Sequence, residues 1–179
     1  MFKIEINHAR ANKQDLLLLT GDVQPTNDSD IYALCKKIIE LASEWGVKEL
    51  ITIGGIGLPE QPSNSQVHAV FNNEALKQEF NKVVVDGCDT VKVILGATGL
   101  LLGLARFKNI KATSLLAETI NDPSHVGIEE SRKVLTVLND YLKLNLDFND
   151  LDEEVKDYKE SIKEQPIIKA PKSKQSYIG

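Results

Sequence analysis

Residues Lys92–Ala105 read KVILGATGLLLGLA, an apolar run interrupted by Gly96, Gly99 and Gly103. Glycines spaced this way either cradle a phosphate or let a chain turn sharply into a buried helix. A P-loop needs Gly-Lys-Ser/Thr, because the lysine meets the β- and γ-phosphates and the hydroxyl holds magnesium. Here Gly99 is followed by Leu100, and no lysine comes before Lys108. The dinucleotide fingerprint needs G-x-G-x-x-G, whereas the spacing here is G-x-x-G-x-x-x-G. The segment therefore reads as a packing turn. Gly96 and Gly99 permit the bend, and Gly103 lets the helix approach a sheet. Leu100, Leu101, Leu102 and Leu104 make that helix apolar nearly all round, so it is expected to be buried.

Working outward, a strand over VKVIL precedes this turn, and IKATSLLAET reads as the strand after its helix. Upstream, DLLLLTGD (Asp15–Asp22) is a continuous apolar run ending in a Gly-Asp turn, the pattern of a strand buried on both faces. Pro25, Asn27, Asp28 and Ser29 supply loop and N-cap chemistry. Ile31, Leu34, Cys35, Ile38, Ile39, Leu41, Ala42 and Trp45 then recur at helical spacing, and Gly46 stops the helix. Lys48–Ile56 reads as a strand ending in the pair Gly54–Gly55, followed by a loop over Gly57–Ser65. QVHAVF is a further strand, with a short helix around Glu74–Asn81. Ile128–Leu142 is a strongly periodic helix. Repeated strand–helix alternation predicts an α/β fold with a mostly parallel sheet sandwiched by helices, occupying residues 1–146. In such sheets ligands bind beyond the carboxyl ends of the strands.

Residues 147–164 hold eight acids and three lysines. Leu151, Val155, Tyr158 and Ile162 form a thin apolar stripe there. An amphipathic helix with so narrow a stripe must dock on this domain or on another chain. Residues 165–179, QPIIKAPKSKQSYIG, read as a flexible basic tail. Its end offers Lys172, Lys174, Tyr177 and Ile178 either as a disordered terminus or as a docking peptide with an aromatic anchor.

The net charge of −5 argues against nucleic acid, whose backbone demands excess Lys and Arg. No apolar run reaches the roughly 18 residues of a membrane span, and no signal peptide is visible. Cys35 and Cys88 follow no metal-ligand spacing, so both read as reduced and semi-buried in a cytoplasmic protein with neither metal nor cofactor. Cys35 lies on the apolar face of its helix, where an inert thiol is expected. His68 alternates with apolar neighbours as a half-buried strand residue, and His8 and His125 fall in loops. No nucleophile elbow and no H-E-x-x-H is present. Asp22, Glu60 and Glu118 fall near predicted strand ends. With Gly54, Gly55, Gly96 and Gly99 they form an alternative pocket for a nucleoside-like or amide substrate. Asp22 also reads as a turn and cap residue, and Glu118 as a helix-dipole or backbone partner.

The order of LLLLTGDVQP, YALCKKIIELASEWGVKELITIGG, GATGLLLGLARFKNIKATSLLAET and DYLKLNLDFNDLDEEV resembles the PAC2 (proteasome assembly chaperone 2) family in its archaeal form, over roughly Asp15–Val155. The resemblance implies an α/β sandwich related to nucleoside phosphorylases and hydrolases. It implies a non-enzymatic, homo-oligomeric chaperone that binds proteasome α subunits or a sister subunit. Family members begin with an extra strand, Gly-rich turn and helix, whereas this chain opens almost at LLLLTGD, as a shortened member or one missing an upstream segment. Some archaeal members resemble proteasome activators in carrying a hydrophobic–Tyr–any tail. Here Tyr177 is third from the end and Ser176 replaces the hydrophobic residue.

Overall fold

In the computed structural model, which describes residues 3–80, 84–87, 91 and 93–164, two β-sheets and five helices are arranged around strand β6 (Lys111–Ile120). β6 lies inside a four-stranded sheet. It pairs in parallel with β3 (Glu49–Leu58) over ten rungs and antiparallel with β4 (Val67–Phe71), and β4 pairs in parallel with the two-residue β5 (Val85–Asp86). Two of the three pairings are parallel, so the fold is mixed α/β with a mostly parallel central sheet.

Side chains alternate across a strand, and β6 uses both faces. Ala112 joins a cluster with Cys35, Ile39 and Ala42 of α1 (Asp28–Glu44) and Leu101 and Ala105 of α3 (Gly96–Phe107). Leu115 and Ala117 join Val134 and Val137 of α4 (Ile128–Leu142) and Phe80 of α2 (Glu74–Phe80). α1 starts on Asn27, whose side chain accepts from the Asp30 N–H at 2.9 Å, and stops at Gly46 with φ +72°. The expected helices at α1, α2, α3 and α4 and the strands β3, β4 and β6 are all present.

Four expectations fail. DLLLLTGD is not buried in the parallel sheet. As β2 (Gln14–Gly21) it pairs antiparallel with β1 (Ile4–Ala11), a strand absent from the sequence reading, which also puts His8 in a strand instead of a loop. The two-residue connection Asn12–Lys13 has φ of 47° and 64°, the primed turn that matches strand twist. Leu17, Leu18 and Leu19 are exposed, Leu18 by 51%. Second, β3 runs through Gly54–Gly55 to Leu58 instead of ending there. Third, Val91, Val93, Ile94 and Leu95 form no strand, while Lys92 and Cys88 lie outside the described residues. Fourth, α3 is only half-buried: Thr98, Leu101 and Ala105 are inside, but Phe107 is 84% exposed. A β-carbon at Gly103 would meet nothing within 4 Å, so that glycine does not serve close packing. Gly96 and Gly99 do serve the turn. Gly96 has φ +72°, and a β-carbon at Gly99 would stand 2.2 Å from the Ile94 carbonyl oxygen.

Candidate functional site

A cleft of about 280 Å³ opens on the α4 face of the sheet. Its floor is Ile53, Gly54 and Gly55 of β3 with Ala117, Thr119 and Ile120 of β6. Asp122, His125 and Gly127 of the following loop and Glu130, Ser131 and Val134 of α4 complete it. The parallel pairing of Gly55 with Ala117 brings the two strand ends together, as α/β ligand sites require. Gly55 keeps the floor flat, since a β-carbon there would stand 3.3 Å from Thr119 Cγ2.

Glu130 organises the polar side of the cleft. It sits in the first turn of α4, where the helix dipole favours an anion. Its spacing to the buried Val134 and Val137 places it on the helix's inner face, and it is 5% exposed. Oε1 accepts from Gln61 Nε2 at 3.2 Å and from His125 Nε2 at 3.0 Å. Oε2 is buried with no hydrogen-bond partner. Burial works to raise the Glu130 pKa. Its own backbone N–H, Gln61 and His125 outweigh that, and the carboxyl titrates below its ordinary range. The Asp122 carboxyl is likewise lowered, by hydrogen bonds from the Ser124 N–H and hydroxyl.

The His125 ring is fixed at both nitrogens. Because Nε2 donates to Glu130, Nδ1 of the neutral ring is an acceptor. It faces the Tyr158 hydroxyl at 3.4 Å, and that hydroxyl accepts from the Val126 N–H at 3.0 Å. Tyr158 belongs to α5 (Asn149–Glu164). This helix docks on its own domain: Arg132 of α4 bonds Asp152 at 2.7 Å and stacks over the Phe148 ring at 3.8 Å. Leu151, Val155 and Tyr158 are half-buried along it. The Ile162 side chain and the tail residues Lys172, Lys174, Tyr177 and Ile178 lie outside the described residues.

Of the alternative-pocket residues, only Gly54 and Gly55 line this cleft. Asp22 closes the hairpin, its carboxylate accepting from the Lys3 N–H at 3.0 Å. Glu60 is exposed in the loop after β3. Glu118 accepts from His68 Nε2 at 2.9 Å and from the Gln66 N–H at 3.0 Å. Its backbone carbonyl accepts from the Ser65 hydroxyl. His68 is 4% exposed, more buried than its alternation suggested. Gly96 stands against Gln24: a β-carbon there would come within 2.7 Å of the Gln24 amide. The Thr-Gly-Asp-x-Gln-Pro turn and the glycine turn are thus joined in space. Cys35 is buried, its thiol pKa raised by burial, in keeping with an inert side chain. At the opposite end of β3, the Tyr141 hydroxyl lies 3.0 Å from both Glu49 oxygens and 3.2 Å from Glu79. Burial pushes the Glu49 carboxyl up, and burial with the neighbouring carboxylates pushes the Tyr141 hydroxyl up.

No helix among the described residues is long and apolar enough to cross a membrane, and none of their His, Cys, Asp and Glu side chains form a cluster suited to a metal. A sequence model of the PAC2 family matches residues 1–166. The chain belongs to the PAC2 family. Its sequence is 23% identical over 175 residues to the uncharacterized protein MJ1210 of Methanocaldococcus jannaschii, covering 93% of this chain and 66% of that one. The structure is similar to Pyrococcus furiosus PbaB, an archaeal proteasome activator, with a TM-score of 0.81 and 28% identity. That match covers 91% of this chain and 71% of PbaB. Pyrococcus furiosus PbaA, an archaeal homolog of proteasome-assembly chaperone, shares the fold with a TM-score of 0.72 at 21% identity, over 88% of this chain and 64% of that one. This PAC2-family chain thus spans about two thirds of the length of the relatives it matches.

Proposed function

We propose that this protein is a non-enzymatic, proteasome-associated binding protein that oligomerises and engages proteasome α subunits or a sister PAC2-family subunit. The observation that carries the reading is the likeness to PbaB, at 28% identity over 91% of the chain. The β1–β2 hairpin supports it. Ile4, Ile6, Leu17 and Leu19 are exposed on one face of this small sheet and Leu18 on the other, and apolar surface grouped in this way marks interaction sites. In this reading the hairpin joins copies or sister subunits, and the tail residues Lys172, Lys174, Tyr177 and Ile178 reach the proteasome ring. α5 carries the tail, anchored through Leu151, Val155 and Tyr158. The fold's relation to phosphorylases and hydrolases then supplies a scaffold, with no catalytic role for Asp22, Glu60 or Glu118.

The test is retention of purified proteasome α subunits by the immobilised chain, with and without residues 166–179, together with its solution mass. Retention by the full chain and loss on truncation support the reading. A chain that is monomeric and retains no α subunits in either form refutes it.

A further inference from the structure

Beyond any role at the proteasome, the cleft beside α4 carries unspent binding chemistry. Its lining holds two carboxylates, Asp122 and Glu130, and neither lysine nor arginine. His125 brings no free donor to it, since Nε2 is bonded to Glu130 and Nδ1 faces Tyr158. One oxygen of Glu130, Oε2, is left buried without a partner on a side chain only 6% exposed. A buried carboxylate oxygen in that state calls for a donor. Around it the lining is apolar at Ile53, Ala117 and Val134, and Gly54 and Gly55 add bare backbone. Thr119 and Ser131 also line it.

We propose that this cleft binds a small organic cation, an ammonium or amidinium group on a compact apolar body, whose N–H groups donate to Glu130 Oε2. The charge balance selects the sign, because an anion would face two carboxylates with no cation in the lining. The pattern of an apolar body with few polar anchors is that of small-molecule sites, and about 280 Å³ lies near the lower bound of roughly 300 Å³ for them. The ligand is therefore small. A free metal ion is disfavoured because the described residues hold no cluster of three or more suitable ligands. The same N–H chemistry could also be presented by a partner's arginine side chain. The cleft's small volume beside buried Glu130 favours a free small molecule instead.

The experiment is calorimetric titration of the full chain with benzamidine and with agmatine, using benzoate as the anionic isostere and an arginine-containing peptide as a separate arm. Saturable binding of at least one free cation, with none of benzoate, is expected. Glu130→Gln should weaken it by about tenfold or more, the usual scale for losing a charge-assisted partner. Ser131 lines the cleft and is exposed, so Ser131→Phe should block the cleft without unfolding the chain and decides the matter if Glu130→Gln does not fold. The proposal is overturned if neither cation binds up to about 10 mM, well above the 1 mM scale of weak complexes. It is equally overturned if benzoate binds as well, if both variants bind unchanged, or if only the peptide binds. None of these outcomes bears on retention of α subunits, so the two readings fail separately.

Discussion

Gly99 and Gly103 lie one turn apart in α3, yet the same substitution should act on them with opposite sign. At Gly99 an alanine β-carbon would stand 2.2 Å from the Ile94 carbonyl oxygen and 2.9 Å from its carbon. Those are backbone atoms, so no rotamer change relieves the contact and the helix start must shift. Overpacking of this kind costs about 1–3 kcal/mol, occasionally more. The propensity gain of alanine over glycine in a helix returns only about 1 kcal/mol. With so short a contact the upper part of the range applies, and Gly99→Ala should lose about 2 kcal/mol. At about 2–4 °C per kcal/mol for a domain of this size, Tm falls by roughly 4–8 °C. At Gly103 a β-carbon meets nothing within 4 Å, so only propensity acts, and Gly103→Ala should gain about 0.5–1 kcal/mol. Thermal unfolding followed by circular dichroism, backed by urea midpoints, measures both. Equal shifts, or a Gly99→Ala variant as stable as the parent, would refute the assignment of Gly99 to the turn and Gly103 to open space.

Three other outcomes follow from the geometry. The Glu130 carboxyl is lowered in the fold, so its contribution is complete above the unfolded carboxyl pKa of about 4.3 and is lost as pH falls through the lower folded value. Glu49 is raised by burial, so its contribution is complete below the unfolded pKa and is lost as pH rises through the folded one. Urea midpoints against pH should therefore show Glu130→Gln destabilised at neutral pH and converging with the parent in acid. Glu49→Gln should be stabilised at neutral pH and converge likewise, and matching signs would sink the argument. Tyr158→Phe removes the acceptor of the Val126 N–H and should cost about 0.5–1.5 kcal/mol, seen as faster hydrogen exchange along α5; unchanged exchange would mean the hydroxyl does not hold the helix. Leu17→Lys with Leu19→Lys changes exposed positions, so stability should move by less than about 0.5 kcal/mol while the solution mass drops; a mass that stays put would exonerate the hairpin as an assembly surface.

How far the sequence was legible depends on whether the signal was local. α4 was read at its observed limits because Val134, Leu135, Leu138 and Leu142 repeat at helical spacing and Gly127 precedes them. The same periodicity located the candidate site without revealing it. Glu130 stands on the stripe of Val134 and Val137, where an apolar residue is expected. A charge on the buried face, five residues after His125, was the available sign. Its partner Gln61 is 69 residues away, so it enters only through the β3–β6 pairing. β2 was found at the right place with the wrong surroundings. A continuous apolar run says that both faces of a strand want cover, not which partner covers them. The turn that sends it into a hairpin is Asn12–Lys13 rather than Asn-Gly, so the usual hairpin signal is missing. The result is that Leu17, Leu18 and Leu19 stay exposed. A strand whose pattern asks for burial on both faces, and of whose four leucines only Leu16 is half-buried, offers apolar surface of the kind that the proposed binding role uses. That demand is written in the sequence and left unmet by the fold of one chain, and it ties the hairpin to the proposed binding role more directly than any feature of the cleft.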